Sequence, residues 1–353
     1  MKKILSLICA AAFLLPLCVT LTSCSTSGEY AVYNYFAMDT YVVLKFSRES
    51  KSGSRLTEEK LTEAAEECAA ILEKIDLSIS SHNKNSAVYD LNSTYNMILS
   101  ADDTLIETLS LADKVSDLTD GAYDYTLGTL TELWNVTGGG PEGDGVPPTE
   151  DEIAEAMSHC GRDKIKVDGK KISKNDTAVK IDFGGVGKGI ATQQLLEYLA
   201  GTDIAYGIVS LGGNIGVFGK KPEYGSYKVG IRDPHASDAS SVIGYYYLSS
   251  GFISVSGDYE RYFEYDGVRY HHIIDPATGY PARSGLSSAA VITSNGAAAD
   301  ALSTALFVMG AERGLEFYKT SEIPFEAIFV TDTGEIITTP GITDETFEKF
   351  AKN

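Results

Sequence analysis

Two residues four apart open the chemistry of this chain. Asp300 and Thr304 stand in Ala299-Asp300-Ala301-Leu302-Ser303-Thr304-Ala305, so on a helix they share one face. A carboxylate and a hydroxyl so placed make a small hard-oxygen site of the kind Mg²⁺ takes, completed by carbonyls, water and phosphate oxygens. The plainer alternative is that Asp300 hydrogen-bonds locally and Thr304 packs. A second stretch, Arg269 to Pro281, reads RYHHIIDPATGYP. It opens as a strand of alternating bulky residues and breaks at Asp275-Pro276 into a turn closed by Gly279 and Pro281, which would deliver His272 and Asp275 to a rim. His272 there suits a general base, although a core histidine and an aspartate serving turn amides give the same pattern. The third stretch is Asp182-Phe183-Gly184-Gly185-Val186-Gly187-Lys188-Gly189, between a strand and a helix continuing to Leu199. Its glycines allow close backbone approach and the helix N-terminus offers N–H groups to a phosphate. The spacing is neither the Walker pattern nor the dinucleotide fingerprint. Ser210-Leu211-Gly212-Gly213-Asn214 is a second glycine turn at a strand end.

The elements that must position these residues follow from periodicity. Tyr30 to Phe46 alternates as β-structure, and Leu56 to about Leu77 is an amphipathic helix with Leu61, Ala65, Cys68, Leu72, Ile75 and Ile79 along one side. A polar loop covers Ser80 to Ser86. A second helix runs from Asp103, as N-cap, to Thr119, and Thr126 to Trp134 is a third. Gly138 to Pro148 holds five glycines and three prolines. Because Thr149 and Glu152 form a capping box straight after it, the segment reads as an excursion from one domain, not a boundary. Val167-Asp168-Gly169-Lys170 is a hairpin turn. Strands are expected at Ala178–Asp182, Ile204–Leu211, Ile215–Phe218, Tyr227–Ile231, Ile243–Leu248, Phe252–Ser256, Tyr259–Tyr265, Val268–Ile274 and Leu286–Thr293. A helix follows at Ala297–Met309, and the tail adds a helix, a hairpin around Thr333-Gly334 and a final short helix. Helices early and antiparallel strands late predict an α+β fold: one large domain of mixed, mainly antiparallel sheet with packed helices.

Composition narrows the class. The formal charge of −20 would repel nucleic acid and anionic headgroups, so an anionic ligand needs local help from a cation or helix N-termini. Met1-Lys2-Lys3 is basic, Ile4 to Val19 is apolar, and Leu21-Thr22-Ser23-Cys24 resembles the lipobox of bacterial lipoproteins. The expectation is a signal peptide at 1–23, lipid on Cys24 and a tether through residue 30. A lipid there anchors a domain at 31–353 on the outer side of a bacterial cell membrane without spanning it. Of the five cysteines, Cys68 and Cys160 remain within the domain; Cys68 lies on an apolar helix face, where a small hydrophobe is expected, and a disulfide between the two stays open.

Seven segments occur together in the order seen in the FAD:protein FMN transferases, the ApbE-like lipoproteins. They are Met38-Asp39-Thr40, Thr119 to Asp124, Asp182 to Gly189, Ser210 to Asn214, Ser256-Gly257-Asp258-Tyr259-Glu260-Arg261, His272 to Gly279, and Ala299 to Ala305. The resemblance covers nearly the whole of residues 31–353 and implies the ApbE-like, T-fold-related architecture with an FAD cleft. It implies Mg²⁺-assisted cleavage of the FAD pyrophosphate and transfer of FMN to a Ser or Thr hydroxyl of an exported acceptor protein, with release of AMP. Carried over, Met38, His82, Ala122, Tyr123, Asp124, Asp182, Lys188 and Ile274 would line the FAD site. The Gly185 carbonyl, Asp300 and Thr304 would hold the metal, and His272 and Asp275 would sit beside the reacting phosphate. His82 departs from the Tyr, and Lys188 from the Glu, also seen at these places. Hydrolysis of FAD to FMN and AMP, and flavin binding without turnover, stay open as alternatives. For the anchor, Cys24→Ser is expected to move the protein from the detergent phase to the aqueous phase in a phase-partition experiment; unchanged partition refutes the lipid assignment.

Overall fold

The structure, a computed structural model, describes residues 28–222 and 225–350. The expected signal peptide, Cys24 and the tether up to Ser27 lie outside the described residues. Among those residues, no helix is long and apolar enough to cross a membrane. The chain opens with the hairpin β1 (Tyr30–Ala37) and β2 (Thr40–Ser47), turned by Met38 and Asp39, both with positive φ. Helices α1 (Glu58–Ile79), α2 (Ala87–Ser93) and α3 (Asp103–Leu118) follow, with the short β3 (Leu99–Ser100) between the last two. Next come α4 (Gly128–Trp134), α5 (Glu150–Ser158), the hairpin β4 (Ile165–Asp168) and β5 (Lys171–Lys174), and α6 (Gly187–Gly201). The second half holds β6 (Gly207–Leu211), β7 (Asn214–Phe218), β8 (Tyr227–Arg232), β9 (Val242–Leu248), β10 (Gly251–Gly257), β11 (Tyr262–Tyr265), β12 (Val268–His271) and β13 (Leu286–Thr293). Last are α7 (Gly296–Thr320), β14 (Glu326–Thr331), β15 (Ile336–Thr338) and β16 (Phe347–Lys349).

The expected α+β class holds. One eight-stranded sheet runs β1-β2-β6-β7-β10-β13-β14-β15, all pairs antiparallel, and a three-stranded sheet runs β16-β9-β8. Period-2 alternation explains why the large sheet is covered on both faces. Ala289, Val291, Ala327 and Phe329 point into the cluster shared with the helices, whereas their neighbours Ala290, Ile292, Ile328 and Val330 point into the cluster shared with β8 and β9. Every residue of β13 is buried, as a strand between two covers must be. A third, smaller cluster joins Leu127, Leu130, Trp134, Ile153, Phe263 and Ile274. It shows the Gly138–Pro148 excursion returning to the same body, with Thr149 and Glu152 forming the capping box of α5.

Several expectations need correction. Ala178–Asp182 is no regular strand: Lys180 makes a single parallel bridge with Leu127, and the Asn92 side chain takes both the N–H and the carbonyl of Ile181, at 2.8 Å each. The strand expected at Val268–Ile274 ends at His271, and the one at Tyr259–Tyr265 starts at Tyr262. The N-cap of α3 is Asp102, whose carboxylate accepts from Leu105 N–H, and Thr119 is its C-cap. The helix expected to stop at Met309 does so: the backbone leaves the helical conformation at Gly310, whose φ of 79° only glycine adopts easily, and the helix expected in the tail follows to Thr320, so α7 is two helices joined at that break. The final helix is a strand, β16, completing the smaller sheet. Cys68 is buried and Cys160 partly so, and both are free thiols.

Helices α6 and α7 cross closely, at Gly189 against Gly296. A Cβ on Gly189 would collide with the Gly296 carbonyl oxygen and lie 2.7 Å from Asp300 Cβ. Gly189→Ala is therefore expected to cost about 1–3 kcal/mol in urea unfolding, the range for overpacking. Gly201→Ala, with open space around its Cβ position, is the control. Equal stability of the two variants would refute the close crossing.

Candidate functional site

The α6–α7 crossing carries Asp300 to the start of α6. The N-cap position of that helix is Val186, which offers no capping side chain. Asp300 Oδ2 accepts from Gly189 N–H at 2.9 Å and so caps α6 from another helix. Asp300 Oδ1 accepts from Asn214 Nδ2 at 3.1 Å and from Ser254 Oγ at 3.2 Å. One turn on, Thr304 Oγ1 lies 3.2 Å from Ser256 Oγ and 3.5 Å from the Asp300 carbonyl. Gly185 faces this pair: a Cβ on it would stand 3.1 Å from Thr304 Oγ1 and 3.1 Å from the ring of Tyr123. Gly185, Asp300 and Thr304, expected as metal ligands, are thus brought together with Tyr123.

Their chemistry fits a hard cation. A carboxylate offers roughly four acceptor directions, and three are filled by hydrogen bonds, leaving room for one further bond. With a hydroxyl and a carbonyl this makes an all-oxygen set that leaves other positions to water or phosphate, the habit of Mg²⁺. Among the described residues no three His, Cys, Asp or Glu side chains converge as a metal cluster, so an all-carboxylate cage is not what the site offers.

His271 is the last residue of β12 and His272 the first beyond it, and the two rings meet different surroundings. His271 is 1 % exposed, donates from Nε2 to the Ala282 carbonyl at 2.9 Å and accepts from Ile273 N–H; burial pushes its pKa down to about 4. It is a core histidine. His272 is only partly covered by area but lies deep among protein atoms. Its Nδ1 lies 3.3 Å from the Arg261 carbonyl. A carbonyl can only accept, so the proton sits on Nδ1 and Nε2 keeps its lone pair. Burial is the main cause that pushes the His272 pKa down to about 3, with the positive charges of Arg261 and Lys188 adding to it.

Asp275 is placed as a turn builder. Its carboxylate accepts from Ala277 N–H at 2.9 Å and its carbonyl from Gly279 N–H at 2.8 Å. Ile274 is buried in the third apolar cluster and makes a backbone bridge with Pro281. Beneath this turn Trp134 donates from Nε1 to the Gly279 carbonyl at 2.8 Å and stacks on Tyr270.

The remaining expected residues gather around the glycine turn. Asp182 accepts from Gly184 N–H at 2.8 Å, and Lys188 Nζ donates back to the Gly184 carbonyl at 3.1 Å. Asp124 is held by Thr126 N–H and hydroxyl at 2.7 Å each. Ala122 and Tyr123 are buried, and Met38 Cε approaches the Cβ position of Gly187 at 3.8 Å. His82 is exposed and shares a small cavity wall with Ser81, Thr131, Glu132, Lys180 and Asp182. A cavity of about 320 Å³ between the end of α3 and the later turns of α7 contains none of the expected residues. Sequence reasoning missed Asn214 and Ser254 as the donors that hold Asp300, and Arg261 as the carbonyl that sets the His272 tautomer. Asn214 and Ser254 are register partners on β7 and β10, a pairing no single segment displays.

The comparisons with known proteins bear on the family and the fold. The model of the ApbE family matches residues 38–329. The FAD:protein FMN transferase of Haemophilus influenzae is 31% identical over 341 residues, covering 95% of each chain. That of Vibrio cholerae is 33% identical over 270 residues, covering 75% of this chain and 78% of its own. In the crystal, the ApbE protein of Thermotoga maritima superposes with a TM-score of 0.78 at 34% identity, covering 89% of this chain and 98% of that one. The flavin transferase ApbE of Vibrio cholerae gives 0.76 at 28%, covering 88% and 97%. With fold and motif order in agreement over most of its length, the chain belongs to the ApbE family.

Proposed function

We infer that this protein is an FAD:protein FMN transferase. The observation that carries the reading is the face of α7 that sets Asp300 and Thr304 against Gly185 at the start of α6, in a chain of this family. The glycine turn and the first amides of α6 suit the pyrophosphate of FAD, with Lys188 at the same turn. Gly185 carbonyl, Asp300 and Thr304 would hold Mg²⁺, which supplies charge neutralisation on the pyrophosphate oxygens. The acceptor Ser or Thr hydroxyl gives its proton to His272 Nε2 as its oxygen forms a bond to the FMN-side phosphorus. The bond from that phosphorus to the bridging oxygen breaks and AMP leaves. His272 has the right tautomer for this, and a bound pyrophosphate would raise its basicity, because a nearby anion favours imidazolium. With lipid on Cys24, this chemistry would take place on the outer side of the membrane on an exported acceptor.

The direct test incubates the protein with FAD, Mg²⁺ and a candidate acceptor domain and reads intact masses. An FMN-sized gain on the acceptor, abolished by excess EDTA, is expected. Free FMN without labelled acceptor would replace transfer by hydrolysis, and full activity in EDTA would remove the metal from the reading.

His272→Asn is expected to slow transfer roughly 10²–10⁴-fold with little change in FAD affinity. Because burial lowers the folded pKa of His272 to about 3, the unfolded chain binds more protons between about pH 3 and 6.5. Its contribution to stability is therefore full above pH 6.5 and lost as pH falls toward 3. The wild type should lose stability across that window more steeply than His272→Asn, while kcat/KM for FAD shows no limb near 6.5 from this ring. A limb near 6.5 that vanishes in the variant would overturn this.

A further inference from the structure

The hydroxyl of Tyr123 has no role in the fold. The residue is 3 % exposed, and its hydroxyl is buried without a hydrogen-bond partner. Leaving such a group unpaired costs about 1–3 kcal/mol, so each instance calls for a physical reason. The backbone of Tyr123 is firmly held. Its N–H donates to Thr119 Oγ1 at 3.3 Å and its carbonyl accepts from Ser116 Oγ at 2.6 Å. The ring edge and Thr304 Oγ1 both stand 3.1 Å from the Cβ position of Gly185, so the side chain forms a wall of the site built by Gly185, Asp300 and Thr304. Asp300, Asp182 and Asp124 are close enough to add to the effect of burial in pushing its pKa up, yet none of them accepts its proton. A buried donor that walls the site of Gly185, Asp300 and Thr304 and is bonded to no protein group is left free for a group bound there.

We propose that the Tyr123 hydroxyl donates to an oxygen held at the cation beside Asp300 and Thr304, either a phosphate oxygen of the pyrophosphate or a cation-bound water. This rests on the transferase reading, and deepens it: the buried phenol becomes the positioning donor for the phosphate end of the substrate. It forms no bond to the reacting atoms.

Tyr123→Phe removes one oxygen and keeps the ring. The experiment follows thermal unfolding of the full protein and the variant in four conditions: no ligand, Mg²⁺ alone, FAD alone, and both. Without ligand the variant should be at least as stable as the wild type, because an unpaired buried hydroxyl has been deleted. With both ligands its stabilisation should be smaller, corresponding to about 10- to 100-fold weaker binding, the loss expected for one hydrogen bond to a charged group. A deficit already present with Mg²⁺ alone identifies a cation-bound water, and a deficit only when FAD is added identifies a phosphate oxygen. Either an unchanged ligand response or a fall in unliganded stability overturns the proposal. A wild type that responds to neither ligand overturns the transferase reading itself, and the two failures are thus distinct.

Discussion

The site depends on one close contact, the crossing of α6 over α7 at two glycines. Helices with side chains at the contact keep their axes 8–10 Å apart. Here Gly189 and Gly296 let backbone meet backbone, and that approach puts the Asp300 carboxylate on the Gly189 N–H. The two helices then depend on each other. Without Asp300 the first turn of α6 has no side-chain cap, and without the glycine the carboxylate has no seat. Asn214 and Ser254 complete the seat from β7 and β10, so the large sheet is tied to the same oxygen atoms. A carboxylate held by three donors has a fixed direction, which a coordination site requires.

His272 is held differently. It follows the last residue of a short two-stranded hairpin, β11-β12, which lies outside the large sheet. Two-stranded ribbons are marginal by themselves. Support comes from the third apolar cluster, where Phe263, Tyr270 and Trp134 stack in series and Trp134 holds the turn through Gly279. The excursion through α4 and α5 supplies that cluster, which gives a physical reason for its place in the chain. Arg261 closes the arrangement. Its backbone carbonyl fixes the His272 ring, and its guanidinium reaches the Asp39 carbonyl in the β1-β2 turn at 3.4 Å.

Features set by local pattern were legible in the sequence. The α1 stripe, the α5 capping box, the Thr333-Gly334 hairpin and the shared face of Asp300 and Thr304 all follow from spacing within a few residues. Features set by distant partners were not. The run Ala178–Asp182 has the alternation of a strand, but its partners are a single backbone bridge to Leu127 and an asparagine side chain 89 positions away. Nor does the sequence distinguish a histidine that faces the core from one that faces a cleft, since His271 and His272 exchange roles with a one-residue shift of register.

Charge gives the last constraint. The chain carries a formal charge of −20, and Asp124, Asp182 and Asp300 all act on one buried phenol. A pyrophosphate entering beside them meets like charge, and two unit charges 4 Å apart repel by about 4 kcal/mol at an effective dielectric of about 20. The N-terminus of α6 counts as roughly half a positive charge, and Lys188 adds one more. Those two cannot offset three carboxylates and a dianion. A divalent cation on the oxygen set of Gly185, Asp300 and Thr304 would reverse the balance, because its two positive charges would add to those two, and Asp300, which alone repels the anion, would hold the cation that attracts it. His272 is neutral for another reason: burial first, and the positive charges of Arg261 and Lys188 after it, disfavour a proton on its ring, and an anion bound beside it would make that ring more basic.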